Sequence, residues 1–82
     1  MGRMSSPELL ADPEWTTGDR IRKARHLAGL DQIDLAKRLG CSRNTVARWE
    51  QGRITPKTAT LLAVASITGV NPEWLTDAGV KR

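Results

Sequence analysis

The chain has 82 residues, 39% of them apolar and 27% charged, with a net charge of +4, a length that allows one domain around one small core. Its single cysteine excludes an intrachain disulfide and a multi-cysteine metal site, and no apolar run approaches the ~20 residues that a membrane span requires. Phe and Tyr are absent, so Trp15, Trp49 and Trp74 are expected to fill the core together with Leu, Ile, Val and Ala.

The charge is unevenly spread. Between Arg20 and Lys57 stand ten Lys or Arg against three acids, a balance of +7, while the two ends together carry three basic and six acidic residues. A basic middle on a soluble body suits a nucleic-acid partner, although charge alone describes a solvated surface equally well. The first residues lack a basic-then-apolar export signal, so a reducing cytoplasm is expected.

Residues 1–15 read as an N-terminal extension. Within it, Ser6 to Ala11 can form a turn or two of helix, with Ser6 as cap and Pro7 at the first position, ended by Asp12-Pro13. This piece either packs its leucines on the body or stays loose. The domain proper is expected over residues 16–79, with a tail at 80–82.

Either Thr16 or Thr17 caps a first full helix that runs to about Ala28, where Gly29 closes it. Ile21, Ala24, Arg25 and Ala28 share one face of that helix. Arg25 among core-facing positions requires a partner, because an unpaired buried charge costs several kcal/mol. Asp31 then caps a second helix, with Gln32 in its first turn and with Ile33, Ala36 and Leu39 on one side, Leu35 beside them.

The turn Gly40-Cys41-Ser42 links this helix to a third. Gly40 can end a helix in the left-handed region, Ser42 can cap the next one, and Ala36 is small where two crossing backbones approach. In the third helix Val46 and Trp49 face inward. Arg43, Asn44, Ala47, Arg48 and Gln51 then project outward within less than half a turn of the circumference. Arginine matches the acceptors of guanine in the major groove, asparagine matches the donor and acceptor of adenine, and Ala47 allows close approach or contact with a thymine methyl. Arg43, Asn44 and Arg48 are therefore the candidate base contacts.

Gly52 to Lys57 is punctuated as a loop. Thr55 is expected to cap and Pro56 to open a fourth helix, whose Ala59, Leu62, Ala63 and Ile67, with Leu61 and Val64, make it apolar nearly all round and therefore central. Gly69 ends it. Asn71 and Pro72 open a short fifth helix to about Ala78.

The stretch Gln32 to Gln51 resembles the helix-turn-helix of the phage Cro and repressor (XRE-type) family. It has the opening Gln, Leu-Ala, a Gly in the turn, a small residue after it, Val in the recognition helix, and the ending Trp49-Glu50-Gln51-Gly52. The resemblance implies an all-α, five-helix, lambda-repressor-like bundle. It implies that Arg25 pairs with Glu50 as an architectural ion pair, and that Gln32, Ser42, Arg53 and Lys57 hold the DNA backbone. It also implies that Cys41 is a packing residue and that Trp74-Leu75 is the closing core pair.

His26, the only histidine, has no carboxylate or cysteine at a metal-binding spacing and reads as solvated. With no catalytic constellation in the sequence, neither an enzyme nor a cofactor or metal is expected. The expected function is sequence-specific binding of double-stranded DNA, as a Cro-like repressor acting by promoter occlusion in a bacterial or phage-infected cell, with a homodimer on DNA as one option. The alternative is an antitoxin whose main partner is a toxin protein docked through Leu9, Leu10 and Trp15.

Overall fold

Local capping chemistry sets where the helices begin. In the computed structural model, which describes residues 15–77, the chain forms helices α1 (Thr17–Leu27), α2 (Gln32–Leu39), α3 (Arg43–Glu50), α4 (Thr58–Thr68) and α5 (Pro72–Asp77), with no strand among those residues. The Ser6–Ala11 segment, the leucines proposed to dock a toxin, and the tail lie outside the described residues.

Thr16 caps α1 reciprocally: its hydroxyl accepts from the Asp19 amide at 3.0 Å, and the Asp19 carboxylate accepts from the Thr16 amide at 3.1 Å. Asp31 and Asp34 repeat the device on α2, at 2.8 and 3.4 Å. Each pair satisfies otherwise unpaired amides and places negative charge at a helix start, where the macrodipole favours it. Gly40 ends α2 with φ +77°, and the Ser42 hydroxyl accepts from the Thr45 amide at 3.2 Å to start α3.

At α4 the expected start is corrected. The Pro56 ring is buried and Lys57 stays extended at φ −70°, ψ 158°, so Lys57 takes the cap position without a side-chain bond and the helix begins at Thr58. Asn71 caps α5 by accepting from the Glu73 amide at 2.7 Å.

One apolar cluster joins all five helices. Ile21, Leu35, Val46, Val64 and Leu75 are fully buried, and Trp49 closes over them. Fully burying one such aliphatic side chain contributes roughly 1.5–3 kcal/mol, so this cluster is the main stabilising term. Three expectations fail at its edge. Ile33 is 49% exposed, because Leu35 and Ala36 take the buried face of α2. On α4 the buried residues are Leu61, Val64 and Ala65, whereas Ala59 and Leu62 face out. Trp15 is half exposed. It stands edge-on to Trp74 at 6.2 Å, while the Arg20 guanidinium lies over the Trp74 ring at 5.2 Å and donates to the Trp74 carbonyl. That stack fastens α1 to α5 outside the core.

Gly18, in the first turn of α1, touches the end of α3. A methyl group built on it would overlap the Trp49 carbonyl oxygen and come within 2.7 Å of the Glu50 carbonyl oxygen. Helix propensity favours Ala over Gly by ~1 kcal/mol, but overpacking against backbone costs roughly 1–3 kcal/mol and leaves α3 displaced. Gly18→Ala is therefore expected to lower the chemical-denaturation midpoint. A variant as stable as the parent would mean that α1 can back away from α3 at no cost.

Candidate nucleic-acid interface

The orientation of α3 is fixed at its C-terminal end by charge. Arg25, on the buried face of α1, donates from Nε to Glu50 Oε2 at 2.7 Å and from Nη2 to Oε1 at 3.0 Å. The remaining fork nitrogen Nη1 reaches the Leu30 carbonyl at 3.1 Å. Gln32, from the first turn of α2, donates from Nε2 to Glu50 Oε1 at 3.0 Å. Arg22 Nε stands 3.5 Å from the same oxygen. Both members of the central pair are buried, at 8% and 5% exposure, so the carboxylate exchanges water for donors on two other helices.

Burial pushes the Glu50 carboxyl up, but the hydrogen bonds from Arg25 and Gln32 and the charges of Arg25 and Arg22 outweigh it, and the group stays below its ordinary value. The hydrogen bonds that Arg25 donates to Glu50 outweigh desolvation on the other partner and raise Arg25. Burial alone raises the Cys41 thiol, which packs against the core as a half-buried group.

With Val46, Trp49 and Glu50 turned inward, α3 presents Arg43, Asn44, Arg48 and Gln51 as exposed side chains and Ala47 as a half-buried one. Arg43 meets Gln32 and Ile33 around an open concavity between the starts of α2 and α3, completed by Arg25 and Asp31. At the far end, Gly52 at φ +81° lets the chain fold back, with Arg53 N–H donating to the Arg48 carbonyl at 2.9 Å and Gly52 N–H to that of Trp49 at 3.1 Å. Arg53 and Lys57 are exposed at either end of the following loop. Ser42 is exposed too, its hydroxyl oxygen 3.0 Å from that of Thr45. Among the described residues no group of three or more acidic, His or Cys side chains could hold a metal, and no helix is long and apolar enough to cross a membrane.

Two features of this arrangement, the Arg22 and Gln32 contacts with Glu50 and the close approach at Gly18, were missed in the sequence. Arg22 and Gln32 meet Glu50 only because three helices converge there. Arg22 does precede Arg25 by three residues, the spacing of helix neighbours, and a glycine in the first turn of a helix does hint at a close approach.

Two packed helices joined through a glycine turn, inside a five-helix bundle that exposes a cationic and amide-bearing face, define a class of regulatory DNA-binding fold. A helix-turn-helix family model matches residues 21–75. The chain belongs to the helix-turn-helix family of the XRE and phage-repressor type, a family of DNA-binding transcriptional regulators.

Over 60 residues it is 35% identical to the HTH-type transcriptional regulator DicA of Escherichia coli, covering 73% of this chain and 44% of that protein. Over 48 residues it is 33% identical to an uncharacterized HTH-type transcriptional regulator of Haemophilus influenzae, covering 58% of this chain and 20% of that one. The chain thus spans less than half the length of these curated relatives.

Among solved structures, the DNA-binding domain of the P22 c2 repressor in solution superposes with a TM-score of 0.71 at 28% identity, covering 79% of this chain and 86% of that one. The restriction-modification controller protein C.AhdI of Aeromonas hydrophila gives 0.66 at 30%, covering 72% and 86%. The P22 c2 repressor in complex with a synthetic operator gives 0.65 at 30%, covering 73% and 91%.

The buried pair gives a signed pH prediction. A carboxyl held below its ordinary value stabilises the fold above its unfolded pKa, about 4.3, and loses that contribution as the pH falls through the lower folded value. Parent and Glu50→Gln should differ in melting temperature at neutral pH and converge in acid below about pH 4. Arg25→Ala, which strands the carboxylate, should cost roughly 3–5 kcal/mol at neutral pH. Thermal unfolding across pH reads both, and a constant gap between parent and Glu50→Gln would remove the pair from the stability account.

Proposed function

We propose that the chain binds double-stranded DNA sequence-specifically by inserting α3 into the major groove, and that it regulates transcription by occluding a promoter. The observation that carries this reading is that Arg43, Asn44 and Arg48 are exposed on a helix whose reverse side is held by Val46, Trp49 and the Glu50 cluster. Arg43 and Arg48 would select guanine and Asn44 adenine, with Ala47 admitting a thymine methyl.

Gln32, Ser42, Arg53 and Lys57 would contact the backbone, which positions the protein without reading sequence. Two of these have capacity to spare. The Gln32 amide spends one N–H on Glu50 and keeps a second. If the Thr45 hydroxyl donates to Ser42, the Ser42 proton is left to point outward.

Site size favours two copies. An eight-residue helix is roughly 12 Å long, enough to face about four base pairs, and a four-base-pair word recurs about every 256 positions. Such a word is far too frequent for selection in a genome, so a homodimer on two half-sites is part of this proposal. Bound copies would block polymerase, and no catalytic step is involved.

Binding selection from random duplexes yields the site, and two substitutions then test the division of roles. Arg48→Ala should cost about 1–3 kcal/mol per half-site of the selected site and relax preference at one base pair in each. Lys57→Ala should weaken selected and random duplexes alike and lower the salt slope by about one for each bound copy. Identical effects of the two changes on both duplexes would overturn the assignment.

A further inference from the structure

The Glu50 carboxylate is approached by one cation more than its charge requires. Its Oε1 takes hydrogen bonds from Arg25 Nη2 and Gln32 Nε2, both at 3.0 Å, while Arg22 Nε stands 3.5 Å away. Those two donors occupy the two lone pairs of that oxygen, so charge alone holds Arg22 there. Arg25 already neutralises Glu50, so Arg22 is surplus to the charge of that carboxylate, and Asp31 adds a further negative charge that acts on Arg25.

The surplus group is accessible. The Arg22 side chain is 50% exposed against 10% for Arg25. Asp19, one turn before Arg22 on α1, spends a carboxylate oxygen on the Thr16 amide. Among the described residues no hydrogen-bond acceptor for Arg22 is present.

We infer that Arg22 is a further backbone-phosphate ligand, whose guanidinium turns from Glu50 to the DNA strand held by Gln32. The inference rests on the DNA reading above. Gln32 Nε2 and Arg22 Nε lie within 3.0 and 3.5 Å of one oxygen atom, so a phosphate that meets the spare amide proton is within reach of the Arg22 fork. A guanidinium presents parallel N–H donors that fit two phosphate oxygens. Departure of Arg22 strands nothing, because Glu50 keeps three closer hydrogen bonds from Arg25 and Gln32. The exchange therefore adds a phosphate contact without disturbing the orientation of α3.

The test is the slope of log binding constant against log salt, measured on a random-sequence duplex of about 20 base pairs and on a selected site, with the melting temperature alongside. Arg22→Gln is expected to reduce the slope by about 0.9 for each bound copy on both duplexes, so that per copy a fourfold rise in salt costs it about 3.5 times less affinity than it costs the parent. Arg22→Lys should keep the parental slope, and Arg22→Gln should keep a near-parental melting temperature. A lowered melting temperature with an unchanged slope would make Arg22 a brace for Glu50 and overturn the inference. If the parent bound neither duplex in a salt-dependent way, the DNA reading itself would fall, and the phosphate role with it.

Discussion

A carboxylate taken out of water loses several kcal/mol of hydration, and Glu50 recovers that only if Arg25 and Gln32 arrive together from two different helices. This condition constrains the relative placement of α1, α2 and α3 more tightly than apolar packing does. Leucines and valines tolerate neighbouring rotations at modest cost, whereas a two-pronged arginine fork has few acceptable geometries. Turning α3 by one residue moves every side chain 100° around its axis, which would replace the exposed arginines with Val46 or Trp49. The ion pair thus acts through orientation, and an apolar substitute of equal stability would not necessarily preserve the same exposed face.

Helix starts were legible in the sequence where they depend on neighbours along the chain. Thr16, Asp31, Ser42 and Asn71 cap as expected, since each bond spans only two or three residues. Burial was less legible because it depends on what arrives from elsewhere. In eight-residue α2 the apolar positions do not define a unique face, and Leu35 with Ala36 displaces Ile33. The sequence of α4 is apolar on nearly every side and so has no phase; only its neighbours select Leu61, Val64 and Ala65 over Ala59 and Leu62. Thr55-Pro56 is a sound local start signal, but Lys57 stays extended and the helix begins after it, at Thr58. The outward face of α3 was readable because Val46 and Trp49 both point the same way, whereas the Arg22 contact required three helices in place.

Net charge is a poor guide to what such a surface presents. Of the ten basic residues between Arg20 and Lys57, Arg25 is consumed by Glu50 and Arg20 lies over Trp74, donating to its carbonyl at the α1–α5 seam. Neither is free to meet a phosphate without breaking a contact that holds the bundle together. Arg43, Arg48, Arg53 and Lys57 are exposed around α3 and the loop that follows it, and Arg22 stands between the two groups. The cations thus divide by what their removal would leave behind: a stranded buried carboxylate for Arg25, a vacant surface position for Lys57. That difference, more than the +7 balance of the segment, makes the energetics of folding and of DNA binding separable in this domain. It also follows that salt affects the two unequally, since ions screen exposed charges far more than a pair enclosed by helices.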